Sequence, residues 1–129
     1  MTKVRAWLIG LTGSAWCKAA FIMLVLIVSW LAFTPYPPPG VDLGWDKANH
    51  ASAFARLMLV AAWAWPLRLR WLPPALLAYG GFIEIVQSFI PGRDGEWLDL
   101  LADGVGIALG LALAILLLRL LNVERTSAP

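Results

Sequence analysis

The stretch EIVQSFIPGRDGEWLDLLADGVGIALG, residues 84–110, decides how this chain folds. It joins two apolar segments through a short charged loop, in a chain that elsewhere avoids charge. An acidic residue inside an apolar helix raises the cost of membrane insertion by about 3 kcal/mol, so such residues persist where they pair or have a function. We therefore expect the functional residues in and around this stretch. Its charged and amide side chains are Glu84, Gln87, Arg93, Asp94, Glu96, Asp99 and Asp103.

Composition predicts a membrane protein. Apolar residues make up 60% of the 129 residues, more than a soluble domain needs to fill its core. We interpret the chain as one all-α integral membrane protein whose partners are membrane lipids. The net charge of +2 is small and the positive residues are dispersed, which argues against nucleic acid as a partner. Cys17 is the only cysteine, so no intrachain disulfide can form.

Four apolar segments predict a four-helix transmembrane bundle. A helix needs about 20 residues to cross the hydrocarbon core of a bilayer, and the first segment reaches that length with its flanking residues. Consecutive prolines or a Pro-Gly pair end several of these segments, because proline lacks the amide donor that a helix needs. The predicted spans cover residues 19–33, 46–65, 72–90 and 97–121.

The predicted organisation of the chain has three parts. Residues 19–121 form the four-span domain. Residues 1–18 are basic and weakly amphipathic, and they form either an interfacial helix or an extension of the first span. Residues 122–129 are predicted to be a disordered polar tail.

Basic residues indicate the orientation of the predicted bundle. Only Lys47 and Arg93 fall in the loops on one side, and Arg56 lies within a span. The positive-inside rule makes the other side cytoplasmic and places both termini there. The basic residues on that side are Lys3, Arg5, Lys18, Arg68, Arg70, Arg119 and Arg125.

Three ionisable residues lie at similar depths in three of the predicted spans. Arg56, Glu84 and Asp103 lie roughly 9 to 15 Å along their helices from the outer ends. Because a lone charge in hydrocarbon is costly, Arg56 is predicted to pair with Glu84, Asp103 or both. Such a pair either belongs to a polar pocket open to the outer surface or serves only to fix the helix register.

Helical spacing extends this predicted pocket. Side chains three and four residues apart share a helix face, and this relation groups the acids of the last span into one stripe. Gly106 and Gly110 continue that stripe and allow a neighbouring backbone to approach closely. The predicted polar network consists of Glu84, Gln87, Asp99 and Asp103.

His50 is the only histidine and the candidate catalytic acid or base. Asp46 lies one helical turn earlier and is predicted to orient its ring. A polar cap at the membrane interface is the alternative role for His50. A divalent metal held by His50, Asp99 and Asp103 is disfavoured, because no spacing such as H-x-x-x-H or C-x-x-C is present. We therefore predict neither a metal nor a cofactor.

Two blocks resemble the VanZ-like family of small bacterial membrane proteins. They are WDKANHASAF, residues 45–54, and GFIEIVQSFIPGRDGEWLDLLADGVGIALG, residues 81–110. They match the family's D-K-x-x-H start, E-x-x-Q helix, P-x-R turn and D-L-L-x-N helix, in the same order. Asp103 stands where the family more often has asparagine. The matched motif positions are Asp46, Lys47, His50, Glu84, Gln87, Arg93 and Asp99.

The resemblance implies a multi-pass protein of the bacterial cytoplasmic membrane. The name-giving member of the family is associated with low-level resistance to the glycopeptide teicoplanin. The first functional hypothesis is therefore binding of an anionic envelope lipid or lipid-linked cell-wall precursor, with Lys47, Arg56 and Arg93 contacting phosphate. The second is an enzyme that acts on such a lipid through His50. The third is a structural scaffold whose buried charges hold helices together.

Overall fold

The computed structural model describes residues 2–36 and 46–121, and the predicted tail, residues 122–129, lies outside the described residues. The described chain forms five α-helices and one 3-10 turn, which confirms the all-α prediction. The helices are α1 (Lys3–Leu11), α2 (Ala15–Phe33), α3 (Asp46–Ala64), α4 (Leu72–Gln87) and α5 (Trp97–Leu120), and the 3-10 turn Pro66–Arg68 precedes α4.

Helix α3 is the central helix of the fold. It contacts α2, α4 and α5, and its interface with α5 is the most extensive in the described chain. Phe54, Leu57 and Met58 of α3 are almost completely buried, and they pack with apolar side chains of α4 and α5, including Ile83 and Ile107. The core therefore lies along one face of α3.

Small residues set the distance between α3 and α5. A Cβ atom at Gly106 would collide with the carbonyl oxygen of Ala51, and one at Gly110 would collide with that of Ala55. The predicted close approach along the glycine stripe is therefore confirmed. Both residue numbers increase by four from one contact to the next, so α3 and α5 run parallel, with the first turns of α5 beside the first turns of α3. The acids of α5 consequently face the residues around position 50.

The predicted four-span transmembrane bundle is wrong. Among the described residues, only α2 and α5 are long and apolar enough, by length and composition, to cross a membrane. Helix α4 has 16 residues and is about 24 Å long, which is shorter than the roughly 30 Å of a hydrocarbon core. Helix α3 is long enough but too polar, since its sequence DKANHASAFARLMLVAAWA begins with a charged turn. The prediction that both termini lie in the cytoplasm assumed four membrane crossings. Without four crossings, that prediction has no basis.

Helix α2 lies at the periphery of the bundle. None of its residues is buried, and Ile22, Leu26 and Trp30 are each more than half exposed. Polar contacts help attach it, since the Tyr79 hydroxyl lies 2.7 Å from the Ser29 hydroxyl. A long helix with this much exposed apolar surface is weak evidence, by composition alone, for association with a membrane.

Helix α1 is separate from α2, which begins at Ala15, and an interfacial location of α1 stays a prediction. Gly13 breaks the path between them with a φ of 73°, a conformation that glycine adopts without steric cost. Its amide donates to the carbonyl oxygen of Trp63 at 2.8 Å. The Arg5 side chain donates to the carbonyl oxygen of Leu121 at 3.1 and 3.3 Å. Helix α1 therefore lies at the end of the bundle where α3 and α5 finish.

Candidate functional site

Three helices bring ionisable side chains together around His50. His50 Nδ1 lies 2.8 Å from Asp103 Oδ1 and 3.7 Å from Glu84 Oε1. His50 Nε2 lies 3.8 Å from Asp99 Oδ2. We call His50, Glu84, Asp99 and Asp103 the His50 cluster. It lies at the end of the bundle where α3 and α5 begin.

The His50 cluster is buried. The exposed fraction of the side chain is 0% for Asp103, 2% for Asp99, 10% for Glu84 and 12% for His50. Burying a carboxylate costs several kcal/mol unless other groups compensate for the lost hydration. The partners of these three acids therefore decide whether the cluster is stable.

Lys47 and the loop before α5 supply part of that compensation. Lys47 Nζ donates to Asp99 Oδ1 at 3.1 Å and to Glu96 Oε2 at 3.0 Å. The backbone amide of Glu96 donates to Glu84 Oε2 at 2.9 Å. The Lys47 side chain is 26% exposed, so the cluster reaches the surface beside it.

Two carboxylate oxygens remain without a hydrogen bond from residues 2–36 or 46–121. They are Glu84 Oε1 and Asp103 Oδ2, and both are buried. Such atoms are rare in folded proteins, because an unmade hydrogen bond to a buried charged group costs about 1–3 kcal/mol or more. The cluster therefore offers two acceptor atoms to a donor or a cation.

The electrostatics of the cluster favour a bound positive charge. Burial opposes protonation of His50, but its hydrogen bond to Asp103 and the nearby carboxylates outweigh burial and raise the pKa of His50. Burial raises the pKa of Glu84, and neighbouring acids add to that effect. Hydrogen bonds to Glu96 and Asp99 raise the pKa of Lys47. Chemically, the cluster can hold a proton or a metal cation, or accept hydrogen bonds from hydroxyl groups.

The structure brings five of the predicted site residues together, namely Lys47, His50, Glu84, Asp99 and Asp103. Asp46 is exposed at the start of α3, and one of its oxygens lies within 4.8 Å of a donor atom of His50 and of Asp99. The predicted orientation of His50 by Asp46 is not seen as a hydrogen bond in the described chain. Asp103 makes the short contact to the ring instead.

The predicted ion pair between Arg56 and Glu84 or Asp103 is wrong. Arg56 is exposed, and in the described chain both acids face His50 instead. Six residues on a helix of 3.6 residues per turn separate His50 and Arg56 by about 120° around the axis. His50 and Arg56 therefore cannot point to the same neighbours. The similar depths of Arg56, Glu84 and Asp103 in their helices did not imply contact between them.

Arg93 and Gln87 attach α2 instead of lining the cluster. The Arg93 guanidinium donates to the carbonyl oxygens of Leu31 and Thr34 at 2.7 to 3.1 Å. Gln87 Nε2 donates to the carbonyl oxygen of Ala32 at 3.0 Å. The last carbonyls of a helix lack partners within the helix, and a cation there also interacts favourably with the helix dipole. Gln87 thus does not join the polar network in which it was predicted. Arg93 holds the end of α2, and its predicted contact with phosphate stays a prediction.

Sequence reasoning missed Gly80 as a site residue. A Cβ atom at this position of α4 would collide with Asp103 Oδ2 and would crowd Leu100. Glycine in a helix interior costs about 1 kcal/mol relative to alanine, so a mid-helix glycine is a signal for close packing. That signal was present in the Gly80-Gly81 pair, although it does not reveal which side chain comes close.

The chain is similar to the uncharacterised protein C11E3.10 of Schizosaccharomyces pombe. The two are 36% identical over 103 residues, which are 76% of this chain and 62% of the relative. The chain thus spans less than two thirds of that relative's length. No protein-family model matches the chain, and no solved structure matches it. The VanZ-like resemblance therefore stays a prediction.

Proposed function

We propose that this protein is a VanZ-like membrane protein that binds the polar headgroup of an envelope lipid or a lipid-linked cell-wall precursor at the His50 cluster. By holding such a lipid it would change susceptibility to glycopeptides such as teicoplanin. The proposed location is the cytoplasmic membrane of a bacterium, with α2 and α5 as the helices that cross it. These helices are the candidates that length and composition allow.

One observation carries this proposal. Glu84 Oε1 and Asp103 Oδ2 are buried acceptors without a partner in the described chain, in a cluster that reaches the surface beside Lys47. A ligand whose groups donate to these oxygens would offset their desolvation. Sugar and glycerol hydroxyls are such donors, and both lipids and lipid-linked precursors carry hydroxyl-rich headgroups.

The charges around the cluster define how an anionic headgroup would bind. Its phosphate would contact Lys47, which is partly exposed, while its hydroxyls would reach Glu84 and Asp103. Lys47 already pairs with two acids, and the carboxylates outnumber the basic groups of the cluster. A bare phosphate without hydroxyls or a counter-cation would therefore bind poorly.

Lipid analysis of the purified protein tests this function. The protein is extracted from its host membrane in a mild detergent, and co-purified lipids are quantified by mass spectrometry against the bulk membrane. We expect one anionic lipid class to be enriched, and the enrichment to fall at least about tenfold in Lys47→Ala and Asp103→Asn, which is about 1.4 kcal/mol of binding energy.

Matched controls separate specific binding from general charge effects. Lys3→Ala removes an exposed lysine at the opposite end, and Asp94→Asn removes an exposed acid of the loop before α5. Both variants should retain the enrichment. The proposal fails if no lipid class is enriched, or if Lys3→Ala and Lys47→Ala lose it equally. Teicoplanin susceptibility of cells that express each variant should follow the same order.

The contacts of His50 favour one second candidate, an enzyme that uses His50 as acid or base on such a lipid. A carboxylate hydrogen-bonded to one ring nitrogen orients the imidazole and stabilises its protonated form, as the 2.8 Å contact to Asp103 would do. This candidate requires that His50→Gln abolish turnover of the enriched lipid while its binding is retained. Equal lipid composition of cells with the wild-type protein and with His50→Gln would exclude it.

A further inference from the structure

Donor atoms from three helices converge within the His50 cluster. One atom each from His50, Glu84 and Asp103 all lie within 4.8 Å of one another. The three residues are far apart in the sequence, so no local ligand-spacing motif could have predicted a metal site formed by them. From this geometry we propose that His50, Glu84 and Asp103 bind a divalent transition-metal ion.

The unpartnered oxygens provide an independent reason for a cation. The Asp103 side chain is fully buried and its Oδ2 has no hydrogen-bond donor in the described chain. The Glu84 side chain is nine-tenths buried, and its unpartnered Oε1 points toward His50, 3.7 Å from Nδ1. Two buried acceptors without donors on adjacent carboxylates are costly in the absence of a cation or donor.

The spacing of the donor atoms fits a first coordination shell. Metal–nitrogen and metal–oxygen bonds of about 2.1 Å at right angles place neighbouring donors about 3 Å apart. The observed separations from His50 Nδ1 are 2.8 Å to Asp103 and 3.7 Å to Glu84. Shifts of less than 1 Å in these side chains would therefore bring all three donors to one ion.

The chemistry of the donors selects the class of metal. One imidazole nitrogen and two carboxylate oxygens suit manganese, iron or zinc, whereas magnesium and calcium favour ligand sets made of oxygen alone. The described cluster contains no thiolate, and the only cysteine of the chain, Cys17, lies at the start of α2. We therefore expect Mn²⁺ and Zn²⁺ to bind more tightly than Mg²⁺.

Asp99 is the positioning residue for this site. A metal-binding histidine usually directs its second ring nitrogen to a carboxylate, which fixes the ring and its tautomer. Asp99 Oδ2 lies 3.8 Å from His50 Nε2, and Asp99 is itself held by Lys47. Gly80 contributes space, because any larger residue there would displace the Asp103 carboxylate.

This inference deepens the proposed function and in part rests on it, because a bound cation would bridge the carboxylates to the phosphate of the lipid. Binding of the ion itself needs no lipid. The two ideas can therefore fail separately: lipid enrichment without metal binding refutes the metal site alone, and metal binding without lipid enrichment refutes the lipid function alone.

The experiment uses the purified full chain in detergent, stripped of metal with a chelator and titrated with Mn²⁺. Bound Mn²⁺ is measured by loss of the free-ion signal in electron paramagnetic resonance. We expect one ion per chain, with affinity at least about tenfold weaker in Glu84→Gln and Asp103→Asn and unchanged in Asp94→Asn. Pulsed measurements should detect coupling of the bound ion to an imidazole nitrogen, and this coupling should disappear in His50→Gln.

Asp103→Asn removes a buried charge and can alter the fold, so each variant is first compared with the wild type by thermal unfolding. Glu84→Gln keeps size and shape, and it alone suffices if Asp103→Asn does not fold. The proposal is overturned if binding is not saturable, if it is equal in Glu84→Gln and the wild type, or if no nitrogen coupling is seen.

Discussion

The two ends of the helix bundle use charge in opposite ways. At the end where α3 and α5 begin, acids from α4 and α5 turn inward and are buried around one histidine. At the other end, basic side chains such as Arg68, Arg70 and Arg119 are exposed at the surface. A buried charge must find a specific partner, whereas an exposed one keeps its hydration. The acidic end can therefore form a site, whereas the exposed arginines of the basic end keep their hydration and give that end a positive surface.

The largest expected effect comes from removing the basic centre of the acidic end. His50→Ala leaves three buried carboxylates without their histidine, so we expect the free energy of unfolding to fall by about 3–5 kcal/mol. Unfolding of the detergent-solubilised protein by denaturant, followed by circular dichroism, measures the change. A loss below 1 kcal/mol would show that the carboxylates are compensated by other groups, and the contrast between the two ends would disappear.

The glycine contacts provide the next test, because they hold the acidic end together. Gly106→Ala places a methyl group against the carbonyl of Ala51, so α3 and α5 must separate. We expect a loss of about 1–3 kcal/mol in the free energy of unfolding. Gly10→Ala in α1 is the matched control at the basic end, since within residues 2–36 and 46–121 no atom outside the local helix backbone lies within 4 Å of its added Cβ.

Helix propensity predicts that Gly10→Ala stabilises the protein by up to about 1 kcal/mol. Equal effects of the two glycine substitutions in the same unfolding assay would contradict the close packing of α3 and α5.

Arg93 provides the next test, with a smaller expected effect on stability. It contacts the end of α2, whereas Arg68 and Arg70 at the basic end are exposed. Its guanidinium donates to the last carbonyls of α2 at the acidic end, so Arg93→Ala should reduce the free energy of unfolding by about 1.5 kcal/mol. Hydrogen exchange should rise mainly in the last turn of α2. Uniform exchange along the whole chain would instead indicate that Arg93 supports the entire bundle.

The smallest expected effect belongs to the basic end. Arg70 lies 5.1 Å from the centre of the Trp71 ring, an exposed cation–π contact worth about 0.5 kcal/mol. Arg70→Ala should therefore leave the free energy of unfolding within about 0.5 kcal/mol of the wild type. A change as large as that of Arg93→Ala would mean that stability also depends on the exposed arginines of the basic end.

Much of the fold could be predicted from local sequence. The predicted segments beginning at residues 46, 72 and 97 begin as helices there, because proline, glycine and charge mark helix ends locally. The glycine stripe also predicted the close approach of α3 and α5. The number of spans could not be derived in this way. A helix that packs against its neighbours also has many apolar residues, even when it is too short or too polar to cross a bilayer.

The sequence by itself determined that this protein is helical, that most of its acids and most of its bases lie toward opposite ends, and that glycines line one helix face. These properties depend on residues within a few positions of one another. Only the tertiary structure decided which charges meet. His50 replaced Arg56 as the partner of Glu84 and Asp103, and Arg93 turned to α2, because contacts between helices depend on their relative rotation and register. A rotation of one helix by about 100°, the angle between successive residues, changes every partner on its surface.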